Sequence, residues 1–300
     1  MTIQRYRKAL ILFFIVLILM TGTFSILQFT GLGNEPRFTP FLPFDSMAIQ
    51  VALIFLLIPI AGIIGSLFPG YVLAPFFLFV YKKTIGYKME FGIQDREKPP
   101  KFTNTWKGIF PALLVINLSL IFGTSIVIGR NLIVSDEYLA TGPGGDIWPI
   151  VGFVSLLPFM TGIATGIFSP VWFLLDSGIV FTNKKKVLYK VDPIEVRSIG
   201  GWYHYLLKGY AGIGVIVTYI QFVGTMLGLF TNPFDGGFIS SVIFLPIMPI
   251  IVSILLIPSI ILLENTLKSR RTSVRKFAKK ILHIEGPLED PLNINKNLNH

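Results

Sequence analysis

Met47–Phe68, MAIQVALIFLLIPIAGIIGSLF, runs for 22 residues without a charged side chain. At about 1.5 Å of rise per residue, a helix of that length crosses a hydrocarbon core of about 30 Å. Five further blocks share this character: Ala9–Phe29, Gly108–Ile128, Ile147–Phe168, Gly209–Phe230 and Phe238–Leu263. Membrane-barrel strands would instead read as alternating segments of about 10 residues. The expected fold class is an all-α membrane protein with six transmembrane helices.

Composition points the same way. The chain of 300 residues is 52% hydrophobic and 14% charged, with mean hydropathy +0.69, whereas soluble domains carry roughly a quarter charged residues. It contains no cysteine, which excludes disulfides, thiolate metal sites and cysteine nucleophiles.

The net charge of +10 is unevenly placed. Of 26 Lys and Arg, 24 lie in the N-terminus, the second and fourth loops and the C-terminal tail. The other three loops hold only Arg37 and Arg130, together with Glu35, Asp45, Asp136, Glu137, Asp146 and Asp235. Basic loops stay cytosolic during insertion, so both ends are expected in the cytosol. This placement argues against nucleic acid and for a lipid bilayer with anionic headgroups on its cytosolic face. Arg5, Arg7 and Lys8 precede an apolar run of about 21 residues, longer than a signal-peptide core and without an A-x-A site. That run is read as a retained first span.

The spans also repeat. Gly22-Thr23, Gly123-Thr124 and Gly224-Thr225 recur at steps of 101 residues. Each inward span carries two prolines 10 to 12 residues apart: Pro59 and Pro69, Pro158 and Pro170, Pro246 and Pro258. These registers suggest three tandem two-helix hairpins, with kinks at matching depths. The first hairpin covers 1–83, with spans about 9–29 and 47–81. The second covers 108–175, with spans about 108–129 and 147–175, and the third covers 209–263, with spans about 209–230 and 238–263. Such copies would be related by an axis along the membrane normal. Length, charge and period invite comparison with the mitochondrial carriers. Their proline-acid-base signature at the ends of odd-numbered helices is missing, and only an architectural analogy is kept.

Between the hairpins lie a basic cytosolic loop at 84–107 and a second loop at 176–208. In the latter, Ile179–Thr182 and Val187–Val191 flank Asn183-Lys184-Lys185-Lys186 and read as a β-hairpin. Thr84–Gln94 reads as a poorer ribbon of the same kind. These are the small cytosolic β-ribbon loops of the expected fold. Residues 264–300 read as a basic amphipathic helix, able to lie on the membrane surface, followed by a disordered polar tail.

Little in the chain points to chemistry. The three histidines, His204, His283 and His300, form no H-E-x-x-H, and there is no G-x-S-x-G elbow or glycine-rich phosphate loop. No enzyme activity, cofactor or metal is expected. His204 sits in Trp202-Tyr203-His204-Tyr205 and reads as an interfacial anchor. The mid-span polar residues are Asn117, Ser119, Thr218, Tyr219 and Gln221. Amides in hydrocarbon need partners, so they serve as interhelical glue or line a wet cavity. Asn117, Thr218, Tyr219 and Gln221 are the ligand-binding candidates.

Asp176 and Glu264 each follow the second proline of their copy by six residues. They are gate candidates, to be paired with Lys or Arg, or else simple caps of helix ends. Lys184, Lys185, Lys186, Arg270 and Arg271 are the headgroup-binding candidates. The functional expectation is a transporter, channel-like or lipid-handling protein with a site between the hairpins. The alternative is a non-catalytic membrane subunit or scaffold, binding a protein partner or a second copy through its cytosolic loops and tail.

Overall fold

Long uncharged runs satisfy their backbone polar groups within a helix, and seven helices account for most of the described chain. The structure is a computed structural model that describes residues 2–29, 47–85, 89–93, 108–128, 148–183, 197–226 and 236–284. The helices are α1 (Thr2–Phe29), α2 (Met47–Thr84), α3 (Ile109–Ile128), α4 (Trp148–Ser177), α5 (Ile199–Met226), α6 (Gly236–Leu255) and α7 (Ile257–Leu282). Among the described residues, three stretches are long and apolar enough to cross a membrane: Tyr6–Thr23, Ala52–Thr84 and Leu156–Ser177. A fourth arises if α6 and α7, bent by 50°, count as one span. Ile109–Phe122 is apolar but shorter, and α5 opens on the polar stretch Trp202–Lys208.

The prolines act differently in the three inward segments. α2 continues through Pro59 and Pro69, and α4 through Pro158 and Pro170. The described break falls at Leu256, two residues before Pro258. Proline lacks the N–H that a helix interior uses, and the first turn of a new helix needs none. Leu256 N–H still donates to Val252 at 2.9 Å, and Ile260 N–H to Leu256 at 3.0 Å, on either side of the bend.

Packing divides the chain into two units. Unit 1 comprises Met1–Ile63, Thr103–Ala164 and Gly209–Ile260. Within it α6 lies against both α1 and α3. The start of α3 approaches the end of α6 closely, since a Cβ on Gly108 would stand 2.9 Å from Ser253 Oγ. The Ser259 hydroxyl donates to the Pro59 carbonyl at 2.7 Å, beside Gly62, which leaves room for it.

Unit 2 comprises Ile64–Phe102, Thr165–Lys208 and Ile261–His300. It holds an antiparallel sheet in the order β1 (Met89–Ile93), β2 (Ile179–Asn183), β3 (Arg197–Ser198). Met89 pairs with Asn183 and Ile93 with Ile179, while Val180 pairs with Ser198. The expected ribbon within 176–208 is thus a sheet shared with the preceding loop. β2 has β1 along one edge and β3 on the other, and its expected partner, 187–191, lies outside the described residues. Gly178, with φ 74°, alone connects α4 to β2. Glycine takes this left-handed conformation without a Cβ clash, which lets a helix stop abruptly. Ser198 accepts from Gly201 N–H at 3.2 Å, an N-cap that starts α5.

An aromatic cluster joins these elements. Tyr81 packs on Phe181 and Trp202, each with ring centroids 5.3 Å away, and Phe77 lies 5.0 Å from Tyr203. His204 meets Phe168 edge-on at 6.4 Å. His204, read as an interfacial anchor, is half-buried, and within Trp202–Tyr205 it is Tyr205 that is exposed. The α7 segment differs from expectation in the same sense. Its apolar residues Leu267, Val274 and Ala278 are buried within the protein, so that face is not available to lie on lipid.

Two glycines of α5 provide a test. A Cβ on Gly200 would collide with the backbone of Leu174 and Leu175, whereas one on Gly212 meets nothing within 4 Å. Gly200→Ala should therefore destabilise the protein by about 1–3 kcal/mol, as overpacking does. Gly212→Ala should stabilise it by about 0.5–1 kcal/mol through helix propensity. Thermal unfolding of both variants in detergent checks the contrast; equal Tm shifts would sink it.

Candidate functional site

In unit 1 the apolar helix α3 carries an amide at a fully packed position. Asn117 is 1% exposed. Its Nδ2 donates to Thr218 Oγ1 at 2.6 Å, and the Thr218 hydroxyl in turn donates to the Gly214 carbonyl at 2.7 Å. Gly214, one turn before Thr218, makes the approach possible: a Cβ there would stand 3.3 Å from Asn117 Nδ2. The carbonyl oxygen of the amide, Asn117 Oδ1, is buried and has no hydrogen-bond partner. Leaving such an acceptor unmet costs about 1–3 kcal/mol, which a hydrogen-bond donor reaching it would recover.

The other candidates divide around this pair. Thr218 faces Asn117, whereas Tyr219, half-buried, is turned away by one helical step. The backbone of Gln221 lies in α5, and its side chain is outside the described residues. Ser119 is buried without a partner, as is Ser169, which sits against Gly70 in unit 2. Gly214 was missed in the sequence reading, because its role depends on how closely α5 approaches α3.

In unit 2 the end of α4 meets two guanidinium groups from α7. Arg271 Nε lies 3.0 Å from Asp176 Oδ2, and Nη2 lies 3.1 Å from Oδ1. Arg275 Nε donates to the Ser177 carbonyl at 2.9 Å. Asp176 is 6% and Arg271 19% exposed at the side chain. The last carbonyls of a helix lack intrahelical partners and carry partial negative charge, which suits cationic donors. Lys82 does the same for α7, donating to the Ile281 carbonyl at 2.7 Å.

Glu264, the second gate candidate, is buried on α7 seven residues before Arg271. Arg270 is exposed and stands 5.7 Å over the Tyr71 ring, while Lys184, Lys185 and Lys186 lie outside the described residues. Burial pushes the Tyr203 phenol up to about 12, so it stays protonated and donates to the Phe77 carbonyl at 2.9 Å. No group of three or more His, Cys, Asp or Glu able to hold a metal is present among the described residues.

The Asp176–Arg271 pair can be weighed directly. Breaking a largely buried pair from one side strands the other charge, at about 3–5 kcal/mol. Asp176→Asn and Arg271→Gln should each lower stability by about that much, and the double variant by much less than their sum. A double-mutant cycle on unfolding in detergent measures it; additive effects would show that the two groups do not depend on each other. No family model, no curated protein and no solved structure matches this chain.

Proposed function

We propose that the chain is a multi-pass integral membrane protein with six crossings and both ends in the cytosol. In this reading it binds a small neutral or amphipathic molecule at the Asn117–Thr218 pair, as a carrier, channel-like or lipid-handling protein. The observation that carries the ligand site is the buried, unpartnered Asn117 Oδ1. It is an acceptor, so it selects a ligand with a hydroxyl or amide donor.

Helix direction supports the crossings. In unit 2, α2 and α4 run the same way, since Gly166 lies against the Gly65 carbonyl and Phe173 against Tyr71. α2 and α7 also run the same way, with contacts from Tyr71–Arg270 to Lys82–Ile281. If α2 and α4 both cross the membrane, the chain must return between them, and α3 is the helix in that interval. The tandem repeat draws support from three approaches at steps of 101: Ala61 with Gly162, Gly65 with Gly166, and Asn117 with Thr218. The alternative, a subunit docking a protein partner, draws on β1, which among the described residues pairs along one edge only.

Two experiments address this reading. The chain has no cysteine, so single introduced cysteines report topology without background. Ser46→Cys and Ser135→Cys should react with an impermeant maleimide in intact cells; Thr84→Cys and Ser269→Cys should react only after permeabilisation. The opposite pattern would invert the orientation, and labelling of all four from one side would dismiss it. Native mass spectrometry of gently purified protein should show a retained small molecule or lipid. Asn117→Leu should weaken its retention about tenfold, the loss of one good hydrogen bond, and Gln221→Leu should weaken it too. Unchanged retention in both variants would remove the site, and a stoichiometric second protein with no ligand would favour the subunit.

A further inference from the structure

The cations of α7 are sorted by where they point. Arg271 and Arg275 turn inward to Asp176 and the Ser177 carbonyl. Arg270, the residue beside them, stays exposed and stands over Tyr71. The described acids of unit 2 are Glu90 on β1, Asp176 and Glu264. Asp176 is engaged by Arg271, and Glu264 is buried. Among the described residues, no carboxylate pairs with Arg270. The ring beneath it is fixed, because Phe173 and Phe277 both meet Tyr71 edge-on with centroids 6.0 Å away.

Beside this cation runs an apolar line. Ile64, Phe68 and Val72 recur every four residues on α2, next to Tyr71 in the sequence, and are 66%, 75% and 50% exposed. Four-residue spacing puts them on one helix face. A guanidinium and an exposed hydrocarbon strip at the same height along one helix call for a ligand with both characters.

We propose that unit 2 binds an anionic phospholipid, its phosphate on Arg270 above Tyr71 and its chains along Val72, Phe68 and Ile64, toward the start of α2. A guanidinium meets phosphate with a planar fork of donors, and its stacking on an aromatic face leaves the N–H edges free for that purpose. Exposed Lys268, two residues earlier, adds to the local positive potential. A free phosphate ion would use the charge and ignore the apolar line. The proposal rests on the membrane reading and is independent of the Asn117 site.

The test uses the full chain in detergent, with native mass spectrometry and thermal unfolding. Phosphatidylglycerol should be retained in preference to phosphatidylcholine of the same chain length and should raise Tm. Arg270→Gln should weaken phosphatidylglycerol binding about fivefold, the effect of one charge near a membrane surface, with an unchanged circular dichroism spectrum. Arg271→Gln should lower Tm yet keep the lipid preference, because that side chain faces Asp176. Phe68→Ser, on an exposed face, provides a second variant and should weaken retention of the lipid. Equal binding of the two lipids, or wild-type affinity in Arg270→Gln, would overturn the proposal. Stabilisation by inorganic phosphate as large as that by the lipid would also overturn it, leaving a site for a free anion.

Discussion

A helix that stops inside a protein exposes carbonyl oxygens with nothing to accept, and α4 stops at Ser177 among buried side chains. Arg271 and Arg275 of α7 meet that end, one through the Asp176 carboxylate and one through the Ser177 carbonyl. Much of unit 2 follows from this closure. With the end of α4 satisfied, Gly178 can turn the chain at once into β2, which gathers β1 and β3 on its two edges. The face of α7 that supplies the arginines also buries Leu267 and Val274. The same cations, left in water, would contribute little. Here they are held by a helix end and a carboxylate together.

Some helix positions were legible because hydrocarbon-length runs without charge leave few alternatives. The sequence reading began the second span at residue 47 and the third at 108, and helices begin at Met47 and Ile109. The fifth segment, expected from about 209, instead starts at Ile199, and the sixth, expected at about 238–263, is divided at Leu256 between α6 and α7. Strand partners were less legible. Ile179–Thr182 has a polar turn after it and invites a local hairpin, yet its pairing is with Met89–Ile93, far back in the chain. Short strands take their partners from the geometry of the helices that carry them, which local pattern does not encode. The prolines show the same limit. Their spacing is nearly equal in three segments, but the described break occurs only before Pro258, where a new helix starts.

The candidate site was legible by residue type and not by partner. An amide in an apolar helix announces a need, and Asn117 has one bond met by Thr218 and one oxygen unmet. The role of Gly214 depends on how closely α5 approaches α3, a distance no single helix states. Asp176 was singled out by its offset from Pro170. Its partner, Arg271, is with Arg270 a headgroup candidate by sequence, and of the two the preceding residue, Arg270, is the one left outward. Neighbours on a helix differ by about 100° in direction, so two adjacent arginines with the same charge meet opposite surroundings.

The single-residue joint at Gly178 has a mechanical meaning. A linker of several residues acts as slack and absorbs displacement between the parts it connects. One residue held at φ 74° between α4 and β2 stores almost none. With so little slack, the last turn of α4 and the start of β2 are placed as one piece, and the ladder carries that placement to β1 and β3.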